Sequence, residues 1–182
     1  MGQTGVITEV DRYLFGNGTH YEIYNKLGAH PCTIGGKKGM YFAVWAPHAR
    51  EVHLSGTFND WSRRSHPMKP LADSGIYELF VPGLKTGQLY KYAVTTGRGD
   101  VILKADPYAF QAEYRPGTAS VTASIEGFGW SDSSWMDRRK TADMTKEPLS
   151  IYEVHIGSWK KKDRAEKDGF YTYREAAKEL AE

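Results

Sequence analysis

A series of short alternating segments between residues 35 and 110 constrains the fold most strongly. In "MYFAVWAP" the apolar residues Met40, Phe42 and Val44 recur at every second position, which places them on one face of a strand. The pattern continues in "EVHLSG", "GIYELFVPG", "QLYKYAVTT" and "VILKADPYAF", with glycine and proline residues between the segments. Several short strands at this spacing predict a mainly β protein with a β-sandwich over residues 35–110.

The regions on either side of the predicted sandwich have no such period. Residues 1–34 are rich in aromatic and turn residues, which predicts an irregular segment packed on the sandwich. Residues 111–149 are polar and rich in glycine and serine, which predicts a connecting segment between domains. Trp130 and Trp135 lie within it, and we expect them to pin the segment to a neighbouring surface rather than to bind a ligand.

The last part of the chain, residues 150–182, has a different pattern. "IYEVHI", from Ile151 to Ile156, alternates like a strand, and "TYREAAKELAE" carries the apolar period of a helix. Thr172 with Glu175 three residues later indicates a capping box at the helix start. A strand followed by a helix is half of a βαβ unit and needs a parallel neighbour. We therefore expect the native protein to continue beyond Glu182 into a parallel α/β domain.

Charge and motif content exclude several classes of function. The 24 basic and 22 acidic residues give a net charge of +2, which does not indicate nucleic acid or an acidic membrane as a partner. "MGQTGVITEV" lacks the features of a signal peptide, and Cys32 is the single cysteine, so we expect a cytoplasmic protein. The six histidines lack zinc-site spacing and no phosphate-binding loop is present, so we expect neither metal nor cofactor. The residues form no catalytic constellation.

The turn "GTFNDW" carries a tryptophan, Trp61, where a small polar residue is usual. An indole held on a sandwich surface can stack on the C–H face of a sugar ring, with Asn59 and Lys91 as candidates for bonding the hydroxyls. An indole that caps the sandwich core explains the turn equally well. From the residue chemistry alone both interpretations stay open.

Most of the chain, from about Tyr13 to Leu180, closely resembles glycogen branching enzymes. The motifs that carry the resemblance are "GTHYEIYNKLGAH", "VWAPHAREVHLSGTFNDW", "GIYELFVPG", "KADPYAF", "RPGTAS" and "IYEVHIGSW". The resemblance implies an immunoglobulin-like carbohydrate-binding module followed by the first strand and helix of a truncated (β/α)8 barrel. It implies a retaining transfer of α-1,4-glucan segments to form α-1,6 branches, with glycogen or another α-1,4-glucan as partner. The family's catalytic carboxylates belong to later barrel strands, so we expect this chain alone to be inactive.

The same resemblance bears on individual residues of the module. Trp61 matches a stacking tryptophan of glycogen-binding modules, and Lys91 matches a lysine that contacts sugar there. A second stacking tryptophan of those modules is replaced by Leu103, which implies weaker binding. A stand-alone glucan-binding module and an α-1,6-debranching hydrolase remain alternatives, with an immunoglobulin-like scaffold that binds no sugar as a further one. Oligomeric state is not indicated.

Overall fold

The computed structural model describes residues 6–162 and 169–181. The chain divides into two compact units, Met1–Phe128 and Gly129–Glu182. The first unit contains a helix, α1 (Glu9–Gly16), and two antiparallel sheets. The strands of the first sheet, in spatial order, are β1 (Gly28–Ile34), β2 (Lys37–Trp45), β5 (Ile76–Pro82) and β4 (Lys69–Pro70).

The second sheet is centred on one strand, β6 (Leu89–Thr95). One edge of β6 pairs with β3 (Glu51–Gly56). Its other edge pairs with β7 (Val101–Lys104) along one half and with β9 (Ser120–Val121) along the other. A short strand, β8 (Gln111–Ala112), completes the sheet beside β9. Two antiparallel sheets of this kind form the predicted sandwich.

The main core lies between the two sheets. Met40 and Phe42 of the first sheet pack with Leu54 and Tyr90 of the second, and all four are at most 1% exposed. Phe42 meets Tyr90 edge to face, with 5.1 Å between the ring centroids. The predicted apolar face of Met40, Phe42 and Val44 is therefore confirmed.

A second apolar cluster lies on the outer face of the first sheet. Tyr41 and Ala43, which alternate with the core residues, pack there with Ile76 of β5. Ile7 and Leu27 from the N-terminal region complete this cluster, so that region covers the sheet.

The irregular structure predicted for residues 1–34 is wrong for two elements. α1 begins at a capping box in which Thr8 and Asp11 bond each other's backbone N–H groups. It is only two turns long and buries none of its residues fully. β1 contains Pro31, which is tolerated because β1 is an edge strand. A proline argues against a strand when only the sequence is considered.

The sandwich also extends beyond residue 110, into the predicted connecting segment. β8 and β9 are two residues long, too short for a visible alternation. Ala119, Ser120, Val121 and Thr122 are buried. The prediction of a connecting segment over residues 111–149 is therefore wrong for residues up to Thr122.

The second unit contains three helices in its described part: α2 (Ser133–Thr141), α3 (Ile156–Trp159) and α4 (Tyr173–Ala181). The strand predicted for Ile151–Ile156 is wrong, because residues 151–155 have no regular structure and Ile156 begins α3. A strand is stabilised by its neighbours, and no described residue pairs with residues 151–156. Ile151 and Tyr152 are 80% and 70% exposed.

The helix predicted after Thr172 is confirmed over Tyr173–Ala181, while Glu182 lies outside the described residues. The predicted capping box is present at its start. The Glu175 N–H donates to Thr172 Oγ1 at 3.3 Å, and the Thr172 N–H donates to the Glu175 carboxylate at 2.8 Å. The only residue that α4 buries is Ala176.

Candidate carbohydrate-binding site

The Trp61 turn, residues 57–62, follows the end of β3. After a 3-10 turn at Thr57–Asn59, Asp60 and Trp61 both adopt left-handed conformations, with φ of 51° and 57°. The Ser62 N–H donates to the Asn59 carbonyl at 3.0 Å, which closes a four-residue turn. Positive φ at both central positions is the geometry of a type I′ turn.

A tryptophan at the second central position of such a turn is strained. Asparagine and glycine normally occupy these positions, and the left-handed conformation costs other residues about 1–2 kcal/mol each. The Trp61 N–H donates to the Gly56 carbonyl at 2.9 Å, and 37% of the residue remains exposed. Residues with strained backbone conformations are found more often than average at functional sites. The turn thus holds a large aromatic ring outside the core.

Asn59 builds this turn with both ends of its amide. Its Oδ1 accepts from the Gly56 N–H at 2.9 Å. Its Nδ2 lies 2.9 Å from the Leu54 carbonyl, 3.1 Å from Ser65 Oγ and 3.0 Å from His66 Nδ1. An amide has two N–H donors, so these acceptors occupy them fully. In the structure both ends of the Asn59 amide therefore bond the turn itself, and a direct contact between Asn59 and sugar stays a prediction.

Lys91 lies at the same end of the β3–β6 pair as the Trp61 turn. It pairs with Ser55, while its neighbour Tyr90 pairs with Gly56, whose carbonyl holds Trp61. The side chain is half-buried, and its Nζ donates to Thr118 Oγ1 at 2.6 Å. The structure therefore brings two of the sequence-predicted site residues to one end of the second sheet.

Leu103 occupies the outer face of the same sheet. It pairs with Ala93, and paired residues point to the same side. Ala93 is two residues from Lys91, so Leu103 and Lys91 share a face. Leu103 thus places an aliphatic side chain on the same face as Lys91.

Ser55, which pairs with Lys91, is a buried polar residue near the candidate site. It is fully buried, and its Oγ has no hydrogen-bond partner among residues 6–162 and 169–181. An unsatisfied buried hydroxyl costs about 1–3 kcal/mol. The sequence gives no signal for this group beyond its place in an alternating strand.

The inner face of the same sheet carries the Asp106 network, which consists of Asp106, Tyr90, Tyr92, Tyr108 and Ser120. The Asp106 carboxylate accepts from the Tyr90 hydroxyl at 2.6 Å, the Tyr92 hydroxyl at 3.0 Å and the Tyr108 N–H at 2.8 Å. The Asp106 N–H donates to Ser120 Oγ at 2.8 Å, which links the network to β9. Burial raises the pKa of Asp106, and the hydrogen bonds from Tyr90, Tyr108 and Tyr92 oppose that rise.

Neither a metal site nor a membrane span is found in the described ranges. Residues 6–162 and 169–181 hold no group of three His, Cys, Asp or Glu side chains placed to bind a metal ion. Within the same ranges no helix has the length and apolar character needed to cross a bilayer.

Comparisons with known proteins show similarity to a carbohydrate-binding module and to branching enzymes. Residues 26–109 match the family model of carbohydrate-binding module 48, described as the isoamylase N-terminal domain. The chain is 52% identical over all 182 residues to a 1,4-alpha-glucan branching enzyme GlgB of Butyrivibrio fibrisolvens, covering 28% of that protein. It is 51% identical over 172 residues to the GlgB of Protochlamydia amoebophila, covering 94% of this chain and 23% of that one. It therefore spans about a quarter of the length of these curated relatives.

A solved structure, the maltotriose complex of PulA from Klebsiella pneumoniae, is similar to part of the chain. The sequence identity is 26% and the TM-score is 0.45. The similarity covers 56% of this chain and 11% of that one.

Proposed function

We propose that this chain is the N-terminal part of a 1,4-alpha-glucan branching enzyme and that its sandwich binds α-1,4-glucan. The observation that carries the proposal is the 52% identity to a branching enzyme along all 182 residues, well beyond the module at 26–109. A stand-alone module or a protein that shares only the module would not require similarity over the second unit. The single cysteine, Cys32, is in keeping with a cytoplasmic site of action.

In this proposal the Trp61 turn provides the glucan contact. The partly exposed indole stacks on the apolar face of a glucose ring, and the Lys91 ammonium bonds hydroxyls of the glucan. Stacking of a flat group on an aromatic side chain contributes about 1–3 kcal/mol, here by analogy with bases. Because Leu103 stands in place of a second aromatic ring, we expect weak affinity for a short oligosaccharide. A glucan polymer offers many binding sites on one molecule, so we expect its overall affinity to be higher.

Branching itself requires residues outside this chain. A retaining transfer needs a carboxylate nucleophile and a second carboxyl group as acid and base. We propose that residues 150–181 begin the barrel that carries them. Ile151–Ile156 would then become a strand only beside parallel barrel neighbours. We expect the purified chain to show no branching of amylose, measured by the iodine absorption of the product.

Affinity electrophoresis in gels containing glycogen tests the binding proposal. The wild-type chain and Trp61→Ala are compared with a matched control, Trp130→Ala, because Trp130 is 77% exposed and lies in the second unit. We expect glycogen to retard the wild type and the control and to leave Trp61→Ala unretarded. Equal retardation of all three would remove Trp61 from the site. Absence of retardation of the wild type would refute glucan binding.

A further inference from the structure

Two arginines follow Trp61 directly, and the glucan contact described above uses neither. Arg63 and Arg64 are exposed, and neither forms an ion pair with a residue in the described ranges. Asp60 is the other charged residue of residues 56–66, so the segment carries one acidic and two basic groups. Lys91 adds a third cation at the same end of the sheet.

The backbone that carries the arginines is fixed by the same residues that hold Trp61. Ser62 Oγ accepts from the Arg64 N–H at 3.4 Å and from the Ser65 N–H at 3.2 Å. Asn59 Nδ2 lies 3.1 Å from Ser65 Oγ. Asn59 therefore anchors the loop on both sides of Trp61, and the two arginines follow Trp61 on a backbone fixed by these hydrogen bonds.

Neutral glucan supplies no opposite charge for these cations. Its hydroxyls can accept hydrogen bonds from a guanidinium group, but they leave the repulsion between two adjacent cations uncompensated. A guanidinium group presents a planar fork of N–H donors that matches phosphate oxygens. A glucan that carries phosphate monoesters would satisfy the indole and the arginines together.

We propose that this loop recognises phosphate monoesters on the glucan, so that the module prefers phosphorylated α-glucan to neutral α-glucan. The inference rests on the proposed function, because Trp61 would hold the sugar next to the phosphate. The arginines lie at the surface, where ion pairs are weakened by water and salt, so we expect a preference of roughly fivefold at low ionic strength. It should vanish near 1 M salt, where the screening length is only about 3 Å.

Isothermal titration calorimetry with maltoheptaose and its 6-phosphate monoester tests this preference in low and high salt. The test variant combines Arg63→Gln with Arg64→Gln. The control combines Lys37→Gln with Lys38→Gln, an exposed pair at the start of β2 in the other sheet. We expect the arginine variant to keep its maltoheptaose affinity and lose the preference, and the lysine control to keep both.

Several results would overturn the inference. They are equal affinity of the wild type for both sugars in low salt, and a preference that survives in the arginine variant. A third is binding of inorganic phosphate to Trp61→Ala as tight as binding of the monoester to the wild type, since the loop would then hold any anion. Failure of maltoheptaose alone to bind would count against the proposed function. Arginine-dependent binding of the monoester would still support phosphate recognition in that case, and absence of both would refute both.

Discussion

The Trp61 turn and the Asp106 network both belong to the second sheet, but they face opposite ways and differ in strain. The turn faces solvent, places two non-glycine residues at positive φ and leaves a large ring partly exposed. The network faces the core, and each oxygen of its carboxylate accepts a hydrogen bond. The comparison separates a region that we expect to serve binding from one that we expect to serve stability.

The largest loss of stability should follow from a substitution in the buried Asp106 network. Asp106→Ala would leave two tyrosine hydroxyls and the Tyr108 N–H without their acceptor. Because each unsatisfied buried group costs about 1–3 kcal/mol, we expect unfolding to become easier by about 3–5 kcal/mol. Urea unfolding measures this, with Asp106→Asn as the milder control that retains an acceptor oxygen. A loss below about 1 kcal/mol for the alanine variant would contradict a stabilising role for the network.

The stability of the wild type and of Asp106→Asn should depend on pH in different ways. Burial raises the pKa of Asp106 above its unfolded value, so the native state binds the proton more tightly. The favourable contribution of the protonated carboxyl group is complete below the unfolded pKa and is lost as the pH rises through the folded pKa. The free energy of unfolding of the wild type relative to Asp106→Asn should therefore fall from pH 3 to pH 7. A difference that stays constant over this range would show that the folded and unfolded pKa values of Asp106 are equal.

In the Trp61 turn, two substitutions of Trp61 separate the contribution of the ring to binding from the strain of the backbone. Trp61→Ala and Trp61→Gly both remove the ring, and each should lose about 10- to 100-fold in glucan affinity. Only glycine adopts φ near 57° without strain, so Trp61→Gly should be about 1 kcal/mol more stable than Trp61→Ala. Thermal unfolding and glycogen affinity electrophoresis measure the two effects. If alanine were as stable as glycine here, the turn would not be strained.

Asn59→Ala should lower both the stability of the protein and its affinity for glucan. It removes the acceptor for Gly56 N–H and the donors to Leu54 and Ser65, which costs about 1–2 kcal/mol of stability. Affinity for glycogen should fall as well, because the ring is no longer held in place. A variant that loses affinity at unchanged stability would instead indicate direct contact between Asn59 and the sugar.

The smallest change should come from Ser55→Ala, which we expect to make the protein slightly more stable. Ser55→Ala removes a buried hydroxyl that lacks a partner in the described ranges, and should raise the free energy of unfolding by about 1 kcal/mol. Ser65→Ala is a control, since Ser65 Oγ has Asn59 and His66 beside it and should gain nothing. A loss of stability in Ser55→Ala would mean that its hydroxyl has a partner in solution.

The sequence allowed prediction of the long strands and not of the short or interrupted ones. β2, β3, β5 and β6 have six to nine residues each, long enough for the apolar residues at every second position of the core face to be visible. β1 is interrupted by Pro31, and β8 and β9 are too short to show a period. Alternation at Ile151–Ile156 predicted a strand that is absent, because alternation does not supply a pairing partner.

The residues of the candidate site could be chosen from the sequence, but their contacts could not. Trp61 and Lys91 stood out through an aromatic residue in a turn and through family resemblance. The commitment of Asn59 to the turn depends on contacts with Leu54, Ser65 and His66 that only the folded chain makes. The same holds for Asp106, whose partners Tyr90 and Tyr92 lie 16 and 14 residues away in sequence.

The tryptophan indole N–H signals in a two-dimensional NMR titration with maltoheptaose test the central claim most directly. The chain has five tryptophans, and Trp45, at the end of β2 in the first sheet, is an internal control that is 52% exposed. The account predicts that the Trp61 signal shifts in a saturable manner, together with the backbone amide of Lys91, while Trp45 stays in place. Saturable shifts at Trp45 with an unmoved Trp61 would contradict it.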